Sequence, residues 1–273
     1  MPGIATTAPG NTTFQPGTAV GPTENDPALF DHPLIGGKFT IFVLLYGDFP
    51  NLHRQCLQSL IGTIPAGRME LRVGSNELCQ ETQTYLNELA SQGLLAAHYR
   101  HPGNDKKYPV MREMFHDPSR PIRTRWCMWF DDDSLCTKDR MWVYHLARFL
   151  TRHPRAGMVG CRFINTIQAG QARWLRSRPW YRGKPFRTSH GQPAANGDKI
   201  LFATGGWWCL LSEAISKAQV PDAQLGHNLG DITIGEQIYQ NGYELLDWNR
   251  NKEFVFTSSH PRRGITDAPP WAR

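Results

Sequence analysis

Apolar residues along the chain fall into short unbroken runs separated by stretches with helical spacing. Phe39 to Leu45 is a continuous apolar run, Leu52 to Ile61 carries apolar residues at helical spacing, and Met69 to Val73 is a second short run. That succession predicts a strand, a helix and a strand, a βαβ opening. A helix from Glu77 to Gln92 is expected to end at Gly93, a C-terminal cap, before a third strand at Leu94 to Tyr99. Trp126 to Phe130 is a fourth run that stops at three aspartates, followed by an amphipathic helix from about Lys138 to Arg152 and a strand at Gly157 to Phe163. The expected fold class is α/β, a sandwich of helices on a mostly parallel central sheet. Beyond it, Gln171 to His190 reads as irregular, Leu201 to Leu211 as a short strand and a Gly-Gly-Trp-Trp turn, and a helix begins near Asp231. A final strand pair is expected around Tyr243 to Leu246 and Phe254 to Thr257.

Residues 1–37 are rich in Pro, Gly, Thr and Asn and lack an apolar period, so they are expected to form a mobile or extended tail. Residues 38–273 are then one domain, and no internal repeat interrupts it. The most apolar run, Phe39 to Tyr46, is far shorter than the roughly 20 residues that cross a bilayer. The opening MPGIATTAPGNTT lacks the charged and apolar regions of a signal peptide, so a cytoplasmic location is expected. The 6 cysteines show neither CxxC pairs nor a zinc spacing, which predicts free thiols.

The net charge of +6 suits an anionic ligand or partner. Its local source is evident: Arg173, Arg176, Arg178, Arg182, Lys184 and Arg187 occur without an acid between Gln171 and His190, interleaved with Trp174, Trp180, Tyr181 and Phe186. Arginine with aromatic rings is the combination used on nucleic acid, so a hydroxymethylated DNA base is one candidate acceptor. A lid over a donor diphosphate would use the same residues.

Asp131, Asp132 and Asp133 end the fourth run. Three adjacent carboxylates repel one another, and a divalent cation removes that cost. Alternation along a strand lets Asp131 and Asp133 point one way and Asp132 the other, leaving two hard oxygen ligands and a third acid for a ribose or a helix contact. Mn2+ or Mg2+ with a diphosphate is the chemistry such ligands suit. A solvated acidic turn capping the next helix is the structural alternative.

In its context, WFDDDS after an apolar strand resembles the DXD motif of GT-A fold glycosyltransferases, and the order of segments over roughly residues 38 to 262 is similar to that of the large inverting, nucleotide-sugar-dependent family with that fold. The resemblance implies a Rossmann-like GT-A architecture. It places Tyr46 and Asp48, in YGDFPNLHRQCLQSL, near the nucleotide base. It also places Ser75 or Asn76, in VGSN, where the family often has a uracil-reading aspartate, with a UDP-sugar as the favoured donor. TGGWWCLLSEAI resembles the glycine-aromatic turn beneath the acceptor, which implies that Gly205, Gly206, Trp207 and Trp208 line the cleft. LGDITIGEQIYQNGYEL resembles the acidic motif that carries the catalytic base, which implies Asp231, with Glu236 as the other acid. The family usually shows two adjacent acids there and this chain has Gly230-Asp231.

Asp231 is also suited to cap its helix and be held ionised by the helix dipole. The resemblance further implies His260 as a third metal ligand and places Lys106, Lys107 and Arg112, in NDKKYPVMREMF, against the donor; Arg262 and Arg263 beside His260 suit the leaving diphosphate, Asp132 the donor ribose, and Arg178 of the basic segment an acceptor. The implied reaction is metal-dependent transfer of a sugar to an acceptor hydroxyl with inversion, the acceptor being a saccharide or a DNA base. Two rivals share features with it. A metal-dependent nucleotidyltransferase would use the same aspartates, but YGDFPN does not look like its glycine-rich phosphate loop. A non-catalytic nucleic-acid binding protein would explain the basic segment but not Asp131 to Asp133 beside Asp231.

Overall fold

The computed structural model describes residues 26–186, 199–218, 221–226, 229–249 and 253–257. In chain order the elements are α1 (Ala28–Asp31), β1 (Phe39–Tyr46), α2 (Pro50–Thr63), β2 (Met69–Asn76), α3 (Gln80–Ser91), β3 (Ala97–His101) and α4 (Lys107–His116). They continue with β4 (Trp126–Asp131), β5 (Ser134–Cys136), α5 (Met141–Thr151), β6 (Ala156–Gly160), β7 (Arg162–Thr166) and α6 (Ala169–Arg176). The last described elements are β8 (Lys199–Ala203), β9 (Trp207–Leu211), α7 (Ser212–Ala218), a 3-10 turn at Ala223–Leu225, α8 (Gly230–Gln240), β10 (Glu244–Asp247) and β11 (Val255–Thr257).

Seven strands form the central sheet in the order β10-β6-β9-β4-β1-β2-β3. β1 runs parallel to both β2 and β4, and β10 parallel to β6, while β9 is antiparallel to its two neighbours. The mostly parallel α/β architecture expected from the apolar runs is therefore what forms. The reason is visible in β1, where every residue from Phe39 to Leu45 is buried, as a strand covered on both faces requires. α3 ends as its glycine demands: Gly93 adopts φ +71°, and Leu94 N–H donates to Leu89 O at 3.0 Å.

Several local expectations are revised. The predicted strand at Gly157 to Phe163 is two strands: β6 in the central sheet, and β7, which pairs with β8 in a separate hairpin. The region from Gln171, expected to be irregular, is helical as far as Arg176. The predicted final strand pair does not pair with itself, since β10 extends the central sheet and β11 joins β5.

Part of the segment assigned to a tail is packed structure. Phe30 and Ile35 are fully buried, and the Phe30 ring meets Tyr144 edge-on at 5.1 Å. Trp126 donates its indole N–H to Leu34 O at 2.6 Å, and Arg68 pairs with Asp31 at 2.7 Å. A few well-placed apolar side chains anchor this stretch without any periodic pattern. Residues 1–25 lie outside the described residues.

Candidate active site

The carboxyl ends of the parallel strands bring together groups distant in sequence, as is usual for ligand sites on such sheets. β4 ends at Asp131, whose N–H donates to Gly206 O at 2.7 Å and so fastens the acidic strand to the turn between β8 and β9. Both Asp131 carboxylate oxygens are engaged: one accepts from the Trp129 indole at 2.8 Å, the other from the Lys107 ammonium at 2.6 Å. Gly206 adopts φ +103°, a backbone suited to glycine, and a Cβ there would lie 3.1 Å from Ser134 Oγ.

Lys107, which with Lys106 and Arg112 stands where the resemblance places residues against the donor, is engaged with the acids themselves. It opens α4 immediately after Lys106, which holds φ +71°. Its ammonium lies over the Tyr108 and Trp208 rings, at 5.7 Å and 5.5 Å, beneath the Gly205 turn. Burial by itself would lower its pKa, but the carboxylate of Asp131, the Tyr108 hydroxyl and the charge of Asp231 outweigh that and raise it, so Lys107 stays protonated. One buried cation thus serves both candidate acids, Asp131 and Asp231.

Asp231 stands in the first turn of α8, not at its cap, which is Leu229 at φ +58°. Its carboxylate accepts from Ile232 N–H at 2.8 Å and from the Gly205 backbone. Burial raises its pKa, opposed by those backbone donors and by Lys107. A desolvated carboxylate of this kind holds a proton more readily than an exposed one, which is what a general base near neutral pH needs. Glu236, the other acid considered, is fully buried in the body of α8, with Oε1 accepting from Gln240 at 2.6 Å. The Gly230 that replaces a second acid also has a structural reason: a Cβ there would fall 1.9 Å from the Tyr108 ring, which packs against the start of α8.

Other predicted positions divide clearly. Asp132 is almost completely buried and faces the opposite direction, accepting from Tyr46 N–H at 3.3 Å and lying 3.3 Å from His53 Nε2, so the helix contact is the one it makes. Asp133 is half-buried beside them. Tyr46, half-buried, receives a hydrogen bond on its hydroxyl from Asn104, and Asp48 is exposed on the loop after β1. Asn76 is fully buried; its Oδ1 accepts from Asp105 N–H at 2.8 Å, so it braces the 104–106 loop that leads to Lys107. Trp208, expected to line the cleft, is a core residue whose indole donates to Thr204 O at 2.8 Å. Trp207 is 5% exposed, and its indole nitrogen has no partner among the described residues. It borders a cavity of about 170 Å³ shared with Phe163, Ser134, Thr204, Gly205 and Thr257.

Arg112, expected on the donor phosphates, donates instead to Pro221 O at 2.9 Å, because five residues along α4 turn it away from Lys107. Arg178 faces Asp222 at 3.5 Å and stacks over Trp174, while Arg176 stacks over Phe186. The basic segment is thus spread over the flank of α8 rather than turned into the cleft. His260, Arg262, Arg263 and Arg187 lie outside the described residues. A cavity of about 700 Å³ opens at the other end of the sheet, near Arg125 and Ser212, away from these acids.

Glu77, Lys106 and Leu229, three of the four non-glycine residues with positive φ among the described residues, sit at this carboxyl edge: Glu77 directly after β2, Lys106 before α4 and Leu229 before α8. Each such position costs of order 1 kcal/mol, and a cluster of them points to a site whose geometry outweighs backbone comfort.

Neither a protein-family model nor a curated protein matches the chain in sequence. Solved structures do match in fold. The mannosyltransferase PcManGT from Pyrobaculum calidifontis, in complex with GDP-Man and Mn2+, aligns over 77% of this chain and 54% of its own, at 16% identity and a TM-score of 0.53. S. aureus TarS 1-349 aligns over 81% of this chain and 60% of its own, at 12% identity and a TM-score of 0.54. Its complex with UDP-GlcNAc aligns over 83% and 60%, at 11% identity and a TM-score of 0.53. The chain spans little more than half the length of these structures. The likeness of the chain, with its mostly parallel seven-stranded sheet, to these structures identifies the fold as that of the GT-A glycosyltransferases.

Proposed function

We propose that the chain is a metal-dependent glycosyltransferase that moves a sugar from a nucleotide-sugar donor to an acceptor hydroxyl with inversion. The observation that carries this reading is the meeting of Asp131, Lys107 and Asp231, from three distant parts of the sequence, at the carboxyl edge of a sheet of this fold. Solved proteins with the same fold bind GDP-Man with Mn2+ in one case and UDP-GlcNAc in another.

Asp231 acts as the base. Ile232 N–H and the Gly205 backbone fix its carboxylate, and burial raises its proton affinity toward the range where it can take a proton from an acceptor hydroxyl. Lys107 offsets the charge of Asp131 and, with the Ile232 N–H, opposes the rise that burial gives to the Asp231 pKa. Tyr46 and Asp48 border the base of the donor. The acceptor enters beside the Gly205–Gly206 turn, where the small cavity offers the Trp207 indole N–H, the Ser134, Thr204 and Thr257 hydroxyls and the exposed Phe163 ring. Aromatic faces with hydroxyl donors and acceptors suit a saccharide, and the dispersed basic segment gives a DNA acceptor no support.

A divalent ion fits in chemical kind. Asp131 and Asp133 offer hard oxygen ligands, although among the described residues no three His, Cys, Asp or Glu side chains are grouped as a ready-made metal site. Asp133 and Asp131 would hold it, with His260 as a further ligand. A bound Mn2+ or Mg2+ would supply Lewis-acid stabilisation of the leaving diphosphate. The test is a panel of nucleotide sugars with Mn2+, read by donor hydrolysis and by thermal stabilisation. A donor should both stabilise the protein and be turned over, and a panel that does neither overturns the reading.

A further inference from the structure

The small cavity beside the Gly205–Gly206 turn contrasts with the rest of the chain in its charge. Among the described residues that line it, none carries a formal charge, although the chain as a whole holds a net charge of +6. A phosphate or carboxylate moved into it would lose hydration without gaining a counter-charge. The wall therefore suits an uncharged occupant.

Exposure sorts that wall by depth. Trp207 forms the inner side: its ring is set by Phe130, edge-on at 6.3 Å, and by Trp248 at 5.4 Å, and its indole N–H has no acceptor among the described residues. A fixed, buried donor that borders open space calls for an oxygen from outside. Asn249 adds nothing to it, because its amide is taken up by the backbone of Phe254 and Val255. At the outer side stand two phenyl rings, Phe163 at 48% exposure and Phe256 at 39%. The exposed large apolar side chains among the described residues are Phe163, Ile164 and Phe256, so two of the three meet at this one opening. They come from β7 and β11, strands of different sheets. A single exposed apolar residue is ordinary, but rings brought to one opening from separate sheets mark a contact surface.

Size and position narrow the occupant further. The cavity, of about 170 Å³, is close to the roughly 150 Å³ that takes a benzene-sized ring, so it admits one six-membered ring. Gly205 lines it and also donates from its backbone to the Asp231 carboxylate, which puts one end of the cavity next to that acid.

We infer that the acceptor is an uncharged glycoside with an apolar aglycone. One sugar ring enters the cavity, with an oxygen on the Trp207 N–H and the reacting hydroxyl at the Gly205 end, and the aglycone rests on Phe163 and Phe256. The assignment rests on the transfer reading and narrows it. In that step the acceptor oxygen bonds to the anomeric carbon as the bond to the diphosphate breaks; the proton passes to Asp231 and the electron pair leaves with the nucleoside diphosphate.

The experiment presents the full chain with matched methyl, phenyl, hexyl and 6-phosphorylated hexosides. Titration calorimetry with a nucleoside diphosphate present comes first, followed by transfer assays with the donor that the chain hydrolyses. Phenyl or hexyl glycosides should bind, and react in kcat/KM, about tenfold better than their methyl counterparts, and the difference between the two tells a flat aglycone from a flexible one. The 6-phosphates should do no better than the methyl glycosides. Phe163→Ser combined with Phe256→Ser should bring the apolar-to-methyl ratio close to one, with an unchanged melting temperature because both positions are exposed. Equal use of methyl and apolar glycosides, a preference for the 6-phosphates, or a preference that survives the double replacement would overturn the assignment even while donor hydrolysis stands. A chain that hydrolyses no nucleotide sugar would overturn the transfer reading instead, and the calorimetric preference is read without that reaction.

Discussion

Replacing Lys107 with methionine keeps the apolar stem and removes the charge, so it isolates the ion pair with Asp131. The two charged groups are 2.6 Å apart, with side-chain exposures of 14% and 21%. At an effective dielectric constant of about 20, their attraction is roughly 6 kcal/mol before desolvation is subtracted. Removing one partner of a pair this buried leaves the other charge uncompensated, at a net cost of about 3 kcal/mol. Lys107→Met should therefore lose about 3 kcal/mol in urea unfolding. Asp131→Asn should lose a similar amount, because it strands the lysine. The double variant should recover about 2 kcal/mol relative to the sum of the singles, since no charge is left unpaired. Lys107→Met should also bind Mn2+ more tightly than the natural chain, because Asp131 is released from its resident cation. A single variant costing less than about 1 kcal/mol, or strictly additive effects in the double, would falsify the ion-pair account.

Further outcomes follow from the same site. Asp231→Asn should leave nucleotide-sugar binding within a few-fold while abolishing transfer in a product assay, and transfer at the natural rate would exclude Asp231 as the base. Because burial raises the Asp231 pKa, the ionised form weakens the native state, and that stability is lost as pH rises from the ordinary carboxylate value through the raised one. Asp231→Asn should therefore melt higher than the natural chain at neutral pH and lose that advantage in acid. Initial rates of the natural chain should rise with pH through that same raised pKa, and a flat acidic limb would count against the base. Asp133→Ala should remove the dependence of turnover on added Mn2+, measured by titrating the ion at fixed donor. Gly230→Ala forces a Cβ to within 1.9 Å of the Tyr108 ring, so it should cost at least about 2 kcal/mol by chemical unfolding and reduce activity together with stability.

Local pattern was enough to disclose the sheet strands, because a strand buried on both faces must be apolar at every position, as Phe39 to Leu45 is. It also marked the acidic end of β4 and the cap at Gly93, since both depend on residues next to one another. Packing of Phe30 and Ile35, the break at Cys161 that splits one apolar run between two sheets, and the pairing of β11 with β5 depend on partners far along the chain, and no period records them. The same holds for the site. Asp131, Asp133 and Asp231 stood out as acids, but nothing in NDKKYPVMREMF set Lys107 apart from Lys106 beside it. Only folding brought Lys107 within 2.6 Å of a carboxylate 24 positions away, and only the tertiary structure turned Arg112, Arg178 and Trp208 from the cleft. Sequence determines which side chains carry charge and which runs must be buried; which charges meet is decided by how the strands are ordered and the helices rotated, a property of the assembled sheet.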